Sequence, residues 1–248
     1  MIGIQNVPGA KNAPLEIPKE LLDAYTMNGA IPVRFWYLND VRDPNVPRIY
    51  TREMVDQYIA RIKRKEPFYY GETDIWLHEA LKKYSILGME VAVMGSGTPW
   101  YESFCLAYGA KPTTIEYNRI VSKDERLQVM TVEEYEHNPI KFDATFSISS
   151  FEHDGLGRYG DPLNPNGDLD AMEKMKLMVN PGGLLFLAVP IGQDVLAWNA
   201  HRIYGPVRLP KLIEHWKVLD IFGKELMRLD GQGKKHHQPV FVLQNTED

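Results

Sequence analysis

An α/β fold, doubly wound around a mostly parallel seven-stranded sheet and ending in an antiparallel C-terminal hairpin, is predicted by three observations. From about residue 73 onward, short apolar runs alternate with segments of helical spacing. A Gly95-Ser96-Gly97 turn follows the first of those runs directly. The last two runs, Val218 to Phe222 and Val240 to Leu243, have only a loop between them and should pair antiparallel. Such alternation implies a parallel sheet with helices on both faces.

The elements follow in order. Residues 1 to about 70 form a proline-rich N-terminal extension (Pro8, Pro14, Pro18, Pro32, Pro44, Pro47, Pro67) with one clear helix. Thr51 is its N-cap, and Met54, Val55, Tyr58, Ile59 and Ile62 share one face. Its basic end, Arg61 to Lys65, reads as a solvated helix terminus matched to the dipole, or as a contact for an anionic partner. Residues 71–248 form the α/β domain. A helix from Thr73 to about Leu87 ends before Gly88 and leads to the strand Glu90–Met94. After the glycine turn, a helix through Trp100, Phe104 and Tyr108 is closed by Gly109. Pro112 to Tyr117, Leu127 to about Val132, and Asp143 to Ser149 read as the next three strands. A Gly/Pro/Asn-rich loop precedes a helix spaced on Leu169, Met172, Met175 and Val179. Asn180-Pro181-Gly182-Gly183 then stops that helix and launches the strand Leu184 to Val189. A short helix opens at Pro210, with Leu212, Ile213 and Trp216 inward.

Composition narrows the class. The chain has 248 residues, 44% hydrophobic and 25% charged, enough to bury a core without staples and unlike a disordered chain. A net charge of −5 argues against a nucleic-acid binder. The single cysteine, Cys105, excludes an internal disulfide and any multi-cysteine zinc site, and its helical position points to core packing. No basic-apolar leader opens the chain and no apolar run approaches the roughly 18 residues of a membrane span. The expectation is a soluble cytoplasmic protein with no membrane or nucleic-acid partner, a small-molecule substrate, and a homo-oligomer as an open alternative to a monomer.

Five crossovers and a terminal hairpin are the arrangement of one nucleotide-binding fold, and here the sequence resembles the class I methyltransferases that use S-adenosylmethionine. The likeness runs from about Thr73 to Leu243. Val91-Ala92-Val93-Met94-Gly95-Ser96-Gly97 sits where that superfamily has its glycine loop, and Ile115-Glu116-Tyr117 where it places the acid that holds the ribose. Phe142-Asp143-Ala144, Pro181-Gly182-Gly183 and the acid–histidine pair in Ser150-Phe151-Glu152-His153 also match. More narrowly, FEHDGLGRYGDPLNPNGDLDAM and VPIGQDVLAWNAHRIYGP are similar to an uncharacterised methyltransferase-like family. Two positions depart from the superfamily pattern: Val93 replaces an acid, and Pro99 replaces the third glycine. The resemblance implies a Rossmann-like methyltransferase fold and S-adenosylmethionine as cofactor, held by Gly95, Ser96, Gly97, Glu116, Tyr117 and Glu133.

The residues carry a chemical reading of their own. Glycines at 95 and 97 let the backbone turn tightly and approach a ligand, and Glu116 follows Gly95 by 21 residues, where a second strand delivers a carboxylate to a ribose diol. The same spacing serves a dinucleotide, but Pro99 withholds an N–H from a pyrophosphate and Trp100 blocks close helix–strand approach. Methyl transfer needs alignment of the acceptor and, for a hydroxyl acceptor, removal of its proton. Candidate bases are His153 and Asp154 after the fourth strand and His201 after the fifth. Arg158, Tyr159, Arg202 and Tyr204 are candidate substrate contacts, as are Lys235 and His236 in the basic loop Gly231–Gln238, whose alternative is a solvated turn. Tyr69 and Tyr70 either cover the cofactor or pack. Asp143, at the opposite strand end, reads as structural, and Met172, Met175 and Met178 as core. Glu152, His153, Asp154 and His201 lack a recognised metal spacing, so no metal is expected. Methyl transfer to a small, anionic or sugar-like acceptor, with oxygen favoured, is the leading function. An NAD(P)-dependent oxidoreductase and a non-catalytic binding protein are the alternatives. The extension is expected to be a lid or an interface.

Overall fold

The computed structural model describes residues 12–43, 45–227, 229 and 237–246. In chain order its elements are α1 (Lys19–Thr26), β1 (Val33–Trp36), β2 (Arg48–Tyr50), α2 (Arg52–Lys63), α3 (Glu72–Lys83), β3 (Glu90–Met94), α4 (Trp100–Ala107), β4 (Lys111–Glu116), β5 (Ile120–Ser122) and β6 (Gln128–Thr131). They continue with α5 (Val132–His137), β7 (Phe142–Ile148), α6 (Gly167–Met178), β8 (Val179–Ala188), β9 (Val195–Asn199), β10 (His201–Ile203), α7 (Leu209–Leu212), β11 (Lys217–Phe222) and β12 (Val240–Gln244).

The central sheet has seven strands in the order β11-β12-β8-β7-β3-β4-β6. Its inner strands are parallel, while β12 runs antiparallel to both β8 and β11. The chain therefore carries the doubly wound fold with its antiparallel C-terminal pair, the last strand inserted between β8 and β11. Burial on both faces explains the near-continuous apolar strands. One face packs Trp76, Leu77, Trp100 and Phe104 against Val91, Val93 and Phe146; the other packs Met172, Met175 and Met178 against Leu185 and Leu187. Cys105 is fully buried. Asp143 braces the far sheet edge, accepting from Glu90 N at 3.1 Å and Asn180 Nδ2 at 3.2 Å.

Several boundaries differ from the sequence expectation, each for a tertiary reason. Helix α3 stops at Lys83 because the chain must turn into β3, and Gly88 N is drawn to Gly109 O at 2.9 Å. Strand β8 begins at Val179 rather than Leu184: Val179 pairs with Phe142, and the register shifts before Ala144. Gly183 lies in this irregular stretch because a Cβ there would come 2.7 Å from Asp143 O. The extension holds more structure than its prolines imply. Strand β1 pairs in parallel with β9, which turns into β10, and β2 pairs in parallel with β5. Ile62 of α2 joins the core around Trp100, so the extension is woven into the body. The β1–β9 and β2–β5 pairings join segments far apart in sequence, which local patterning does not reveal.

Candidate functional site

Open parallel sheets offer ligands the carboxyl ends of their strands, and here the ends of β3, β4 and β7 converge. Gly95 leaves β3 with φ +65°, a conformation that favours glycine. A Cβ at Gly95 would overlap Ser150 Oγ and sit 2.9 Å from Ser150 Cβ, so the bare glycine lets the turn pass the end of β7. Gly95→Ala should therefore destabilise the fold by ~1–3 kcal/mol and weaken ligand binding at the turn, measured by denaturant melts and calorimetry. Gly97 faces open space, with nothing within 4 Å of its Cβ direction.

Ser96 is buried, its Oγ donating to Thr98 O at 2.9 Å. Its carbonyl accepts from Arg48 Nη1 at 2.8 Å and Tyr50 Oη at 3.0 Å. Glu116, at the end of β4, is only 9% exposed. Its Oε1 accepts from Asn118 N at 3.1 Å and its Oε2 stands 4.0 Å from Arg48 Nη1. Burial raises its carboxyl above the ordinary value, against the lowering effects of the Asn118 amide and Arg48. Tyr117 beside it is exposed, and Glu133 lies on the exposed first turn of α5. Beneath the turn, fully buried Glu102 accepts from Thr114 Oγ1 at 2.7 Å, and burial pushes its carboxyl up to about 7. Sequence reasoning missed Glu102, Arg48 and Tyr50. A lone acid in the apolar run of α4 was a signal for the first; the other two meet the turn across a distance no local pattern spans.

After β7 the chain turns at Ser149, φ +54°, into a single helical turn over Phe151–His153. Ser149 Oγ donates to Glu152 Oε1 at 2.5 Å and receives Gln238 Nε2 at 3.3 Å. Tyr69 packs edge-on to Tyr70 while facing solvent. Burial pushes the Glu152 carboxyl up to about 7. His153 Nδ1 donates to Ala200 O at 2.7 Å, which leaves the lone pair on Nε2, 3.7 Å from Glu152 Oε1. Burial, and next the Arg158 cation, push the His153 imidazole down to about 3. It is neutral at physiological pH.

His201 lies 6.2 Å from His153 between ring centroids, with Trp36 of β1 edge-on at 5.1 Å. Arg158 donates to Ala200 O at 3.1 Å and to Asp40 Oδ2 at 2.7 Å, and its guanidinium lies over the Tyr159 ring. Tyr159 in turn packs edge-on to His153, 5.6 Å between centroids. Thus His153, His201, Arg158 and Tyr159 come together. Arg202 and Tyr204 lie behind them. Arg202 donates to Asp154 O at 2.7 Å, and Tyr204 Oη to Asp168 Oδ2 at 2.9 Å. Asp168 also holds Arg208 through two short bonds, so this buried charge cluster braces the 154–166 loop. Asp154 is kept well above the ordinary carboxyl range by burial and then by the Asp161 charge. Asp161 itself gathers Gly155 N and Gly157 N at 2.8 and 3.1 Å.

Lys235 and His236 lie outside the described residues. The chain is described again at His237, which bridges Ile191, and at Gln238, whose carbonyl accepts from Thr73 Oγ1 at 2.8 Å. Among the described residues no group of three His, Cys, Asp or Glu side chains could hold a metal ion, and no helix is long and apolar enough to cross a membrane.

Three buried polar atoms at this edge, Arg48 Nε, Glu152 Oε2 and Gln238 Oε1, have no hydrogen-bond partner among the described residues. Together with the open side of Gly97 and the carboxylate of Glu116, they fit a polar ligand carrying a ribose diol.

Residues 88–246 match the family described as Caenorhabditis protein of unknown function, DUF268. Comparison with curated proteins gives no match. Among solved structures, the chain is similar to the 1,6-didemethyltoxoflavin N1-methyltransferase of Burkholderia thailandensis, solved with 1,6-didemethyltoxoflavin and S-adenosylhomocysteine bound. The two are 13% identical over 100% of this chain and 98% of that one, with a TM-score of 0.55. This likeness establishes a methyltransferase fold. The chain is also similar to the N-methyltransferase NodS of Bradyrhizobium japonicum WM9, at 12% identity, 75% and 97% coverage and a TM-score of 0.49.

Proposed function

This chain belongs to the DUF268 family, and we propose that it transfers a methyl group from S-adenosylmethionine to a hydroxyl of a small molecule. The observation that carries the reading is the meeting, at one sheet edge, of the Gly95–Gly97 turn, the Glu116 carboxylate and the Glu152–His153 pair. Bound there, the cofactor supplies an electrophilic methyl group on its sulfonium. The chain's own residues do the rest. Gly95 and Gly97 admit the ligand close to the backbone, and Glu116 accepts from the ribose hydroxyls. His153, neutral and with Nε2 free of its proton, takes the proton of the acceptor hydroxyl, and the Glu152 carboxylate stabilises the imidazolium that results. Tyr159 and Arg158 line the acceptor side, with His201 and Trp36 opposite. Arg202 and Tyr204 hold the loop beneath rather than the substrate. The extension reaches both groups of residues, β2 bringing Arg48 and Tyr50 to Ser96 and β1 bringing Trp36 to His201.

Calorimetric titration with S-adenosylmethionine, S-adenosylhomocysteine and NADH tests the reading. Both adenosyl ligands should bind, and Glu116→Ala should weaken them by ~1–3 kcal/mol. Binding of NADH alone would overturn it, and unchanged affinity in the variant would remove Glu116 from the site.

A further inference from the structure

Resting on the reading of an S-adenosyl cofactor, we infer that Arg48, from the N-terminal extension, reads the cofactor's ribose diol jointly with Glu116. The placement follows from strand periodicity. In β2, Arg48 and Tyr50 project to one side and Ile49 to the other; the first two reach Ser96, while Ile49 is exposed. The register is set beside the acid itself. Strand β5 begins four residues after Glu116, with Arg48 opposite Ile120 and Tyr50 opposite Ser122, and Arg48 N donates to Arg119 O at 3.1 Å. The segment that delivers Glu116 therefore also docks the strand that delivers Arg48.

A brace for the turn alone would not need a guanidinium. Tyr50 already donates to the Ser96 carbonyl, and one Arg48 N–H suffices for the same oxygen. Among the described residues, Arg48 Nε is buried without a hydrogen-bond partner, and the approach to Glu116 at 4.0 Å is too long for a hydrogen bond. A buried donor left unpaired is unfavourable. A vicinal diol has what both partners lack: two hydroxyl protons for the carboxylate and lone pairs for the guanidinium. Glu116 alone would recognise any pair of donors; with Arg48 beside it, the site requires donor and acceptor on the same atoms. Arg48 lies outside residues 88–246, so this recognition element comes from the part of the chain that the family match does not cover.

The test is a calorimetric comparison of S-adenosylhomocysteine with its 2′,3′-dideoxyribosyl analogue on wild type, Arg48→Met and Arg48→Lys. Arg48→Met should bind S-adenosylhomocysteine ~10–100-fold more weakly, the scale of a lost charged hydrogen bond. Arg48→Lys, which keeps the charge without the fork, should recover only part of that loss. Neither substitution should change affinity for the dideoxy analogue by more than about twofold. A role in bracing the turn would instead weaken both ligands alike, and that result, or unchanged affinity for S-adenosylhomocysteine in both variants, would overturn the inference. Thermal melts of the free variants identify a folding defect, and Arg48→Lys keeps the comparison available if Arg48→Met melts early. Failure of wild type to bind S-adenosylhomocysteine would instead overturn the cofactor reading, and this inference with it.

Discussion

Replacing His153 with alanine is expected to lower methyl-transfer turnover by ~10²–10⁴ while leaving S-adenosylhomocysteine affinity unchanged by calorimetry. The imidazole Nδ1 donates to Ala200 O at 2.7 Å, with Arg158 Nη1 at 3.4 Å from the same nitrogen; the carbonyl sets the tautomer and leaves Nε2 as the acceptor. Because burial and Arg158 push its pKa down to about 3, its protonation does not limit turnover at neutral pH. The pH dependence should come from Glu152, whose carboxyl is pushed up to about 7 by burial. Below that value the acid is neutral and does little for an imidazolium; above it, a carboxylate stands 3.7 Å from Nε2. Turnover should therefore rise with pH through about 7, and Glu152→Gln should abolish the rise. Full activity in His153→Ala would leave positioning of the acceptor as the mechanism.

The second large effect is on stability, and its sign is opposite. Glu152 has a folded-state pKa raised from 4.5 to about 7, so its protonated form is the one the fold prefers. That contribution is fully present below pH 4.5 and is lost as pH rises through about 7. Glutamine keeps the neutral shape at every pH. Relative to wild type, Glu152→Gln should therefore gain about 3 kcal/mol of unfolding free energy between pH 4 and pH 8, measured by urea denaturation at each pH. A constant difference across that range would show that Glu152 ionises as freely in the fold as in the unfolded chain. In Glu152, the carboxylate proposed to serve chemistry is the charge that burial opposes.

Much of the frame was legible because it rests on short-range physics. The apolar run Leu184 to Val189 reads as a buried strand from its length and the Pro181-Gly182-Gly183 before it, and Thr51 caps α2 because its Oγ1 reaches Met54 N, at 3.3 Å. The glycine turn and Glu116 stood out because they sit at strand ends, where sequence spacing maps onto space. Helix α1 and strands β1 and β9 were missed, since each is held by partners distant in the chain; β10 was missed with them, because its hairpin partner β9 was. Arg202 read as a substrate contact from its position after β8; in the fold its guanidinium is buried against the Asp154, Asn164 and Pro165 carbonyls.

The amino-acid order fixes the alternation of strands and helices, hence the sheet, its edge, and the glycines, acid and histidine that edge carries. Those follow from periodicity and from backbone rules that act within a few residues. Which neighbours those groups acquire depends on the packing of distant segments. Burial, not residue type, raises Glu152 and lowers His153. The contact of Arg48 with the turn at Ser96 joins residues 48 apart in the chain. Desolvation and long-range contact depend on the whole packed chain, and no local pattern records them.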